Sequence, residues 1–213
     1  MSTKYTENSQ CKKCRRAGEK LFLKGEKCNS AKCPVVKRNF PPGMHGPTQR
    51  LGKMTNYGKQ LKEKQKAKRI YGLMEIQFRN YFEKARRKAG NTGEWLFRFL
   101  ESRLDNTIYR LSLASSRRAA RQIVGHGHIL VNGKKVNIPS FQVKVGDVIA
   151  LSPRAAAKQG FNELKNKLKK SEGLPAWLSV DAEKLEGKFT SQPKLGDIAV
   201  NIDWRTIVEF YSK

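Results

Sequence analysis

The feature that most constrains this chain is an abrupt change of hydrophobic period at Gly125. Before it, Leu104, Ile108 and Leu111 fall on one helical face, and Arg117 to Val124 reads as a second helix. Ser115 and Ser116 are suited to its N-cap, and Gly125 to a left-handed C-terminal cap. With Ala120, Ile123 and Val124 turned to a core, Arg117 and Arg121 are expected side by side on the outer face. After Gly125 the period becomes that of strands: Ile129-Leu130-Val131, Asn132-Gly133, then Lys134-Lys135-Val136. Asn-Gly suits a type I′ hairpin turn, because both turn positions need positive φ. Phe141, Val143 and Val145 alternate with polar residues, Gly146-Asp147 makes a further turn, and Val148 to Leu151 reads as a buried strand. The stretch from 104 to 151 is therefore expected to place two helices on a small antiparallel sheet, in an α+β chain.

Charge decides the class of partner. The 213 residues carry 44 Lys and Arg against 18 Asp and Glu, a net +26 spread along the whole chain. Such self-repulsion destabilises a compact state, and a dense array of phosphates would relieve it. With 38 % apolar residues, modest modules are expected rather than one deep core. No apolar run approaches the roughly 20 residues a spanning helix needs, and Met1 to Gln10 is polar, unlike a secretory signal. A cytoplasmic protein is the expectation, with no membrane partner.

In a reducing compartment four cysteines point to metal rather than disulfides. Cys11 and Cys14 form a Cys-x-x-Cys knuckle, and Cys28 and Cys33 a looser pair, in a segment with few large apolar residues. A structural Zn²⁺ with Zn–S distances of about 2.3 Å would supply the missing cross-link, leaving no open position for catalysis. Free thiols and an iron-sulfur cluster are the competing readings. Lys12, Lys13, Arg15 and Arg16 flank the knuckle, where they favour thiolates and can meet phosphate. The stretch Pro41-Pro42-Gly43-Met44-His45-Gly46-Pro47 excludes regular structure and reads as a stiff loop. His45, with no carboxylate or cysteine beside it, reads as a loop residue and not as a base.

From Tyr57 to Arg69 helix formers dominate, and between Lys59 and Arg69 six cations meet one acid. Tyr57, Lys62, Lys64, Lys68 and Arg69 are therefore candidate phosphate contacts. Gly72 ends the run. Ile76, Phe78, Tyr81, Phe82 and Ala85 then make an apolar helical face, Asn91-Thr92-Gly93 a turn, and Trp95, Leu96, Phe99 and Leu100 the next helix. Lys158 to Lys170 reads as a basic helix, Leu174 to Asp181 as extended, and Leu185 to Phe189 as a short strand or turn. Ile207 to Lys213 is too apolar for a free end and should dock, the expected surface being the helices of residues 73 to 100.

Gly125-His126-Gly127-His128 followed by Ile129 to Lys135, after the Ser-capped arginine helix, resembles the RNA-binding domain named after ribosomal small-subunit protein S-four. The closest stretches are Ser116 to Val124 and Gly127 to Lys134. The four cysteines, Pro41-Pro42-Gly43, His45-Gly46, Tyr57-Gly58 and Gln60-Leu61-x-Glu63-Lys64-Gln65, in that order, extend the resemblance to the bacterial S-four family over nearly the whole chain. Ser152-Pro153-Arg154-Ala155 departs from the more charged strand end expected after the last central strand. The resemblance implies a zinc-binding segment over 1–45, a helical domain over 46–100 completed by 175–213, and an inserted RNA-binding domain over 101–174. It implies that Arg117, Arg118, Arg121, Gln122, His126, His128, Asn132, Lys134 and Lys135 meet folded RNA. The implied partners are 16S ribosomal RNA, neighbouring small-subunit proteins and messenger RNA where it enters the subunit, with a part in early assembly and decoding accuracy.

Arg103-Leu104-Asp105 superficially matches the aspartate motif of pseudouridine synthases, which use the same module. Asp105, however, falls within the first helix of the module, where it is expected to pair with a base such as Arg103. Binding to the protein's own messenger, as a repressor, is compatible with the same module. No phosphate-cradling Gly-x-x-x-x-Gly-Lys loop, catalytic triad or spaced carboxylate pair occurs, so no catalysis and no small-molecule substrate are expected.

Overall fold

The computed structural model describes residues 4–48, 54–157, 174–181, 184–197 and 201–212. In chain order the helices are α1 (Lys4–Ala17), α2 (Glu26–Asn29), α3 (Pro34–Lys37), α4 (Asn56–Tyr71), α5 (Glu75–Arg86), α6 (Thr92–Glu101), α7 (Leu104–Arg110), α8 (Arg117–Gly125), α9 (Pro153–Ala156) and α10 (Trp204–Tyr211). The strands are β1 (Ile129–Val131), β2 (Lys134–Val136), β3 (Val148–Leu151), β4 (Leu178–Asp181) and β5 (Glu186–Phe189). The chain divides into one unit of residues 1–78 and 201–213 and a second of residues 79–200. The expected helix over Lys158 to Lys170 lies outside the described residues.

In the first unit α4 begins at Thr55, whose hydroxyl accepts the Gly58 N–H at 3.1 Å, and ends at Gly72 in the left-handed region, φ 64°. Its polar sequence conceals a buried face, with Gln60, Lys64 and Lys66 covered along with Ala67 and Ile70. α10 docks on that face, capped by Asp203. Phe210 lies 5.7 Å from the Tyr57 ring, and Tyr211 stacks on Phe78 at 6.2 Å. The tail therefore docks on α4 as well as on the expected start of α5, because the methylene stems of the α4 lysines supply apolar surface that residue type conceals.

In the second unit an all-antiparallel sheet runs β2-β1-β3-β5-β4. The hairpin forms as expected, Val131 pairing with Lys134 across Asn132 and Gly133, at φ 49° and 76°. β5 adds to β3, with Ile149 opposite Gly187, and β4 adds to β5, so both strands belong to this sheet. These two strands therefore do not complete the helical domain, as the whole of 175–213 was expected to. α7 rests on the sheet through Leu111, whose methyl carbons lie 2.5 and 2.6 Å from where a Gly187 Cβ would stand, so only glycine admits this approach. Leu96, Phe97, Leu100, Leu104, Ile108, Ile149, Trp177 and Phe189 fill the core.

Four further expectations are corrected. Residues 141 to 145 form no strand: Gln142 makes one isolated bridge to Arg103, Val143 is buried, and Phe141 and Val145 are exposed. Gly125 closes α8 within the helix, and the left-handed residue is Gly127, φ 67°. Ile76 lies off the buried face carried by Phe78, Phe82 and Ala85. Asn91 is a helix cap rather than part of a turn, its Oδ1 accepting the Gly93 N–H at 2.9 Å.

Candidate nucleic-acid interface

α8 is the centre of the basic surface. Ser116 caps it by accepting the Ala119 N–H at 3.2 Å, and Ala120 and Val124 are fully buried. That orientation exposes Arg118 and Gln122, one turn apart, with Gly125 and His126 continuing the same face. His126 stacks on half-buried His128 with ring centroids 5.9 Å apart. A Cβ on Gly127 would overlap the Lys135 side chain, which places that lysine against the end of α8. Arg118, Gln122, His126, Lys134 and Lys135 are all exposed. The structure thus joins helix and hairpin into one cationic ridge.

Arg117 and Arg121 are not its outermost members. Arg121 Nε and Nη2 lie 3.0 and 2.6 Å from Asp105 Oδ2. Arg117 Nε donates to Asn106 Oδ1 at 2.7 Å, and its guanidinium lies 4.4 Å from the Tyr109 ring centre. Both turn toward α7, a correction to the expected outward pair. Asp105 also receives Arg103 Nε and Nη2 at 3.0 and 2.8 Å, the pairing anticipated from the sequence. Burial works against the Arg103 charge, yet the Asp105 carboxylate and the Tyr81 hydroxyl hold its pKa above the ordinary guanidinium value. The Asp105 carboxylate is 3 % exposed and shared by two guanidiniums.

Asn132, though exposed at the hairpin tip, commits its side-chain amide to bonds within the chain. Its Nδ2 donates to Asp147 Oδ1 at 2.8 Å, and its Oδ1 accepts the Val148 N–H at 2.9 Å. These bonds hold the turn against β3 and leave Lys134 and Lys135 as the hairpin's outward cations. The buried Glu101 and Asn106 and the half-buried Arg110 were not singled out from the sequence. Glu101 stands one turn after Phe97 on the apolar face of α6, and that acid at a core position is the signal that could have found it.

The cations of the first unit separate in the same manner. Lys64 is buried, its Nζ 2.7 Å from Glu75 and 4.6 Å from the Phe210 ring centre, and Lys68 Nζ lies 2.9 Å from the same carboxylate. Burial alone would raise the Glu75 pKa, but hydrogen bonds from Lys64, Lys68 and the Tyr211 hydroxyl lower it to about 2. Neither lysine presents an open ammonium to phosphate. Arg15 donates to the carbonyls of Phe40 and Pro41 at 2.9 and 3.1 Å, pinning the proline loop. Tyr57, Lys62, Lys12, Lys13 and Arg16 are exposed, and Arg69 is half-buried. Burial, and secondarily the Arg16 charge, lower the Arg69 pKa. His45 is an exposed loop residue.

Cys11, Cys14, Cys28 and Cys33 line one small cavity with room for about one water-sized sphere. Cys28 Sγ accepts the Lys24 N–H at 3.4 Å, and a second backbone N–H, from Leu21, serves Cys14. Burial pushes the Cys14 thiol up, the Leu21 bond opposes this, and the other three thiols add to the rise. All four are free of disulfides. No group of three or more His, Cys, Asp or Glu among the described residues is already arranged to hold a metal ion. The donor set nonetheless suits a soft tetrahedral cation, with N–H groups aimed at sulfur where thiolate charge would develop.

Comparison with known proteins accords with this geometry. A family model described as ribosomal protein S4/S9 N-terminal domain matches residues 4–101, and the S4 domain matches residues 102–149. Small ribosomal subunit protein uS4A of Alkaliphilus metalliredigens is 55 % identical over 210 residues, 99 % of each chain. The chain belongs to the uS4 family. A uS4 protein of Acidobacterium capsulatum is 55 % identical over 203 residues, covering 95 % of this chain and 96 % of its own, and one of Acetivibrio thermocellus is 50 % identical over 210 residues. The S4 match spans α7, α8 and the hairpin, the elements that carry the uS4 ridge. No helix among the described residues is long and apolar enough to cross a membrane.

Proposed function

We propose that this uS4-family chain is a structural constituent of the small ribosomal subunit that binds 16S ribosomal RNA through the ridge of Arg118, Gln122, His126, Lys134 and Lys135. The exposure of these residues on one helix and one hairpin, beside internally paired Arg117 and Arg121, carries the reading. Such a ridge reaches phosphates and 2′-hydroxyls more readily than base edges, so it reads the shape of folded RNA. Exposed Lys12, Lys13, Arg16 and Lys62 give the first unit its own phosphate contacts, in keeping with the net +26. The ribosome is the site of action, with neighbouring small-subunit proteins as partners and a place near the path by which messenger RNA enters. Binding of the RNA early in assembly, without a catalytic step, is the role.

We further infer that Cys11, Cys14, Cys28 and Cys33 hold one Zn²⁺. Bound there, the ion would supply a covalent-strength cross-link and no open coordination position. This chain's residues supply the thiolates, orient two of them by the Leu21 and Lys24 N–H groups, and bury three of the four from water.

Chemical footprinting of the full chain on 16S RNA, with affinity measured across a range of salt, tests the assignment. Protection of a folded junction is expected, with each lost lysine or arginine contact reducing the slope of log affinity against log salt by about 0.7 to 0.9. Equal affinity for unfolded and folded RNA would remove the shape-reading role.

A further inference from the structure

α8 presents four long polar side chains in two registers, Arg118 and Gln122 outward, Arg117 and Arg121 toward α7. Each inner arginine is tied, Arg121 directly and Arg117 through an asparagine amide, to a carboxylate that a second arginine, from outside α8, already holds. Arg121 reaches Asp105, which Arg103 grips through two bonds. Arg117 reaches Asn106, whose Nδ2 donates to Glu101 at 2.7 Å, and Glu101 is gripped by Arg110 at 2.9 and 3.0 Å. Asp105 and Glu101 are both buried, and both lie on or beside α7.

The apolar attachment of α8 is small. Ala120 and Val124 are its fully buried side chains, and contacts of that kind have no directional preference, so alone they would let the helix roll. Hydrogen bonds donated by a guanidinium are directional. Two such ties, one helical turn apart, fix both the rotation and the axial position of α8. Buried ion pairs add little net stability compared with apolar replacements, so their gain here lies in geometry. We propose that Asp105, acting through Arg121, and Glu101, acting through Asn106 and Arg117, are positioning residues for RNA binding: they lock the rotation of α8 so that Arg118 and Gln122 stand as a rigid ridge. This rests on the RNA-binding reading above.

The test uses the full-length protein and a transcript of 16S RNA, titrated over a series of KCl concentrations. Arg118→Ala is expected to lower the salt slope by about 0.7 to 0.9. Arg121→Ala is expected to weaken binding about tenfold at every salt concentration with the slope unchanged, because a displaced ridge loses fit without losing a neutralised phosphate. Arg121→Lys should recover part of that loss, since an ammonium still reaches Asp105. Arg121→Ala added to Asp105→Asn should weaken binding no further than Asp105→Asn alone. Should Asp105→Asn fail to fold, Arg117→Ala with Asn106→Ala provides the equivalent cycle on the second tie. A slope in Arg121→Ala reduced as far as in Arg118→Ala would make Arg121 a direct contact and overturn the proposal. Unchanged affinity in Arg121→Ala, with Arg118→Ala weakened, would overturn it while leaving the RNA-binding reading intact. Failure of the wild-type chain to bind the transcript would remove that reading and the proposal together.

Discussion

Between Cys11 and Thr48 the buried apolar side chains are Cys14, Ala17, Leu21, Cys28 and Cys33, whereas from Leu96 to Leu113 alone the chain buries Leu96, Phe97, Leu100, Leu104, Ile108, Leu111 and Leu113. The first segment has three thiols among five such residues, and the second has an aromatic and aliphatic interior. With the proposed zinc in place, two parts of one chain would be ordered by unlike means: a point cross-link where apolar surface is scarce, distributed burial where it is plentiful. They should therefore fail separately.

The largest effect is expected from breaking the cross-link. Structural zinc in small peptides is worth an apparent value of roughly 10 to 16 kcal/mol. Cys28→Ser, or a strong chelator, should release one zinc per chain and abolish hydrogen-exchange protection over residues 10–48, leaving α6 to α8 protected. Elemental analysis of the wild-type protein purified under reducing conditions decides the premise, and absence of zinc would sink it. In the second region Phe97→Ala should cost about 3 to 5 kcal/mol in denaturant unfolding of the sheet-bearing unit, without changing metal content. Loss of both signals together in either variant would collapse the distinction.

Two smaller effects sharpen the comparison by asking what charge contributes. Glu101→Gln leaves Arg110 without its counter-charge beside a fully buried side chain and should destabilise the second unit by about 3 kcal/mol in thermal or denaturant unfolding. A value near zero would show that Arg110 escapes to water. Glu75, in the first unit, provides a pH signature. Its folded pKa of about 2 lies below the ordinary 4.5, so its contribution is fully present above 4.5 and is lost as pH falls from there through about 2. Because the side chain is 44 % exposed, solvent screening limits the effect to under about 1 kcal/mol. Stability curves of wild type and Glu75→Gln should therefore converge at low pH. A constant gap down to pH 2 would locate the effect elsewhere.

Much of the second unit was legible because its signals are local. The hairpin followed from Asn132-Gly133, the α8 start from Ser116, and the α7 face from Leu104, Ile108 and Leu111, each dictated by backbone geometry or helical spacing within a few residues. The same local reading failed for residues 141 to 145, whose alternation suggests a strand. Their backbone instead bonds to the turn before α7, Leu104 N–H to Phe141 O and Val143 N–H to Ser102 O. It also misjudged Lys64 and Lys68, because a lysine stem is apolar and its charge can be answered by a distant acid, here Glu75 and the rings of α10.

The sequence by itself determined that α8 is a helix with one apolar stripe, that a tight basic hairpin follows, that four cysteines stand in a segment poor in apolar residues, and that a polyanion must balance the charge. These follow from propensity, periodicity and composition, which neighbours in sequence settle among themselves. Only the tertiary structure decided which arginines of α8 face out, that Asn132 braces the turn, and that β4 and β5 extend the sheet. Those outcomes depend on partners brought close by folding. Asp105 lies 16 residues from Arg121, Asp147 lies 15 from Asn132, and β5 pairs with β3 across a chain separation typified by Ile149 and Gly187. A guanidinium takes the orientation of whichever carboxylate can be desolvated with it, and residue spacing along a helix carries no record of where that carboxylate will be.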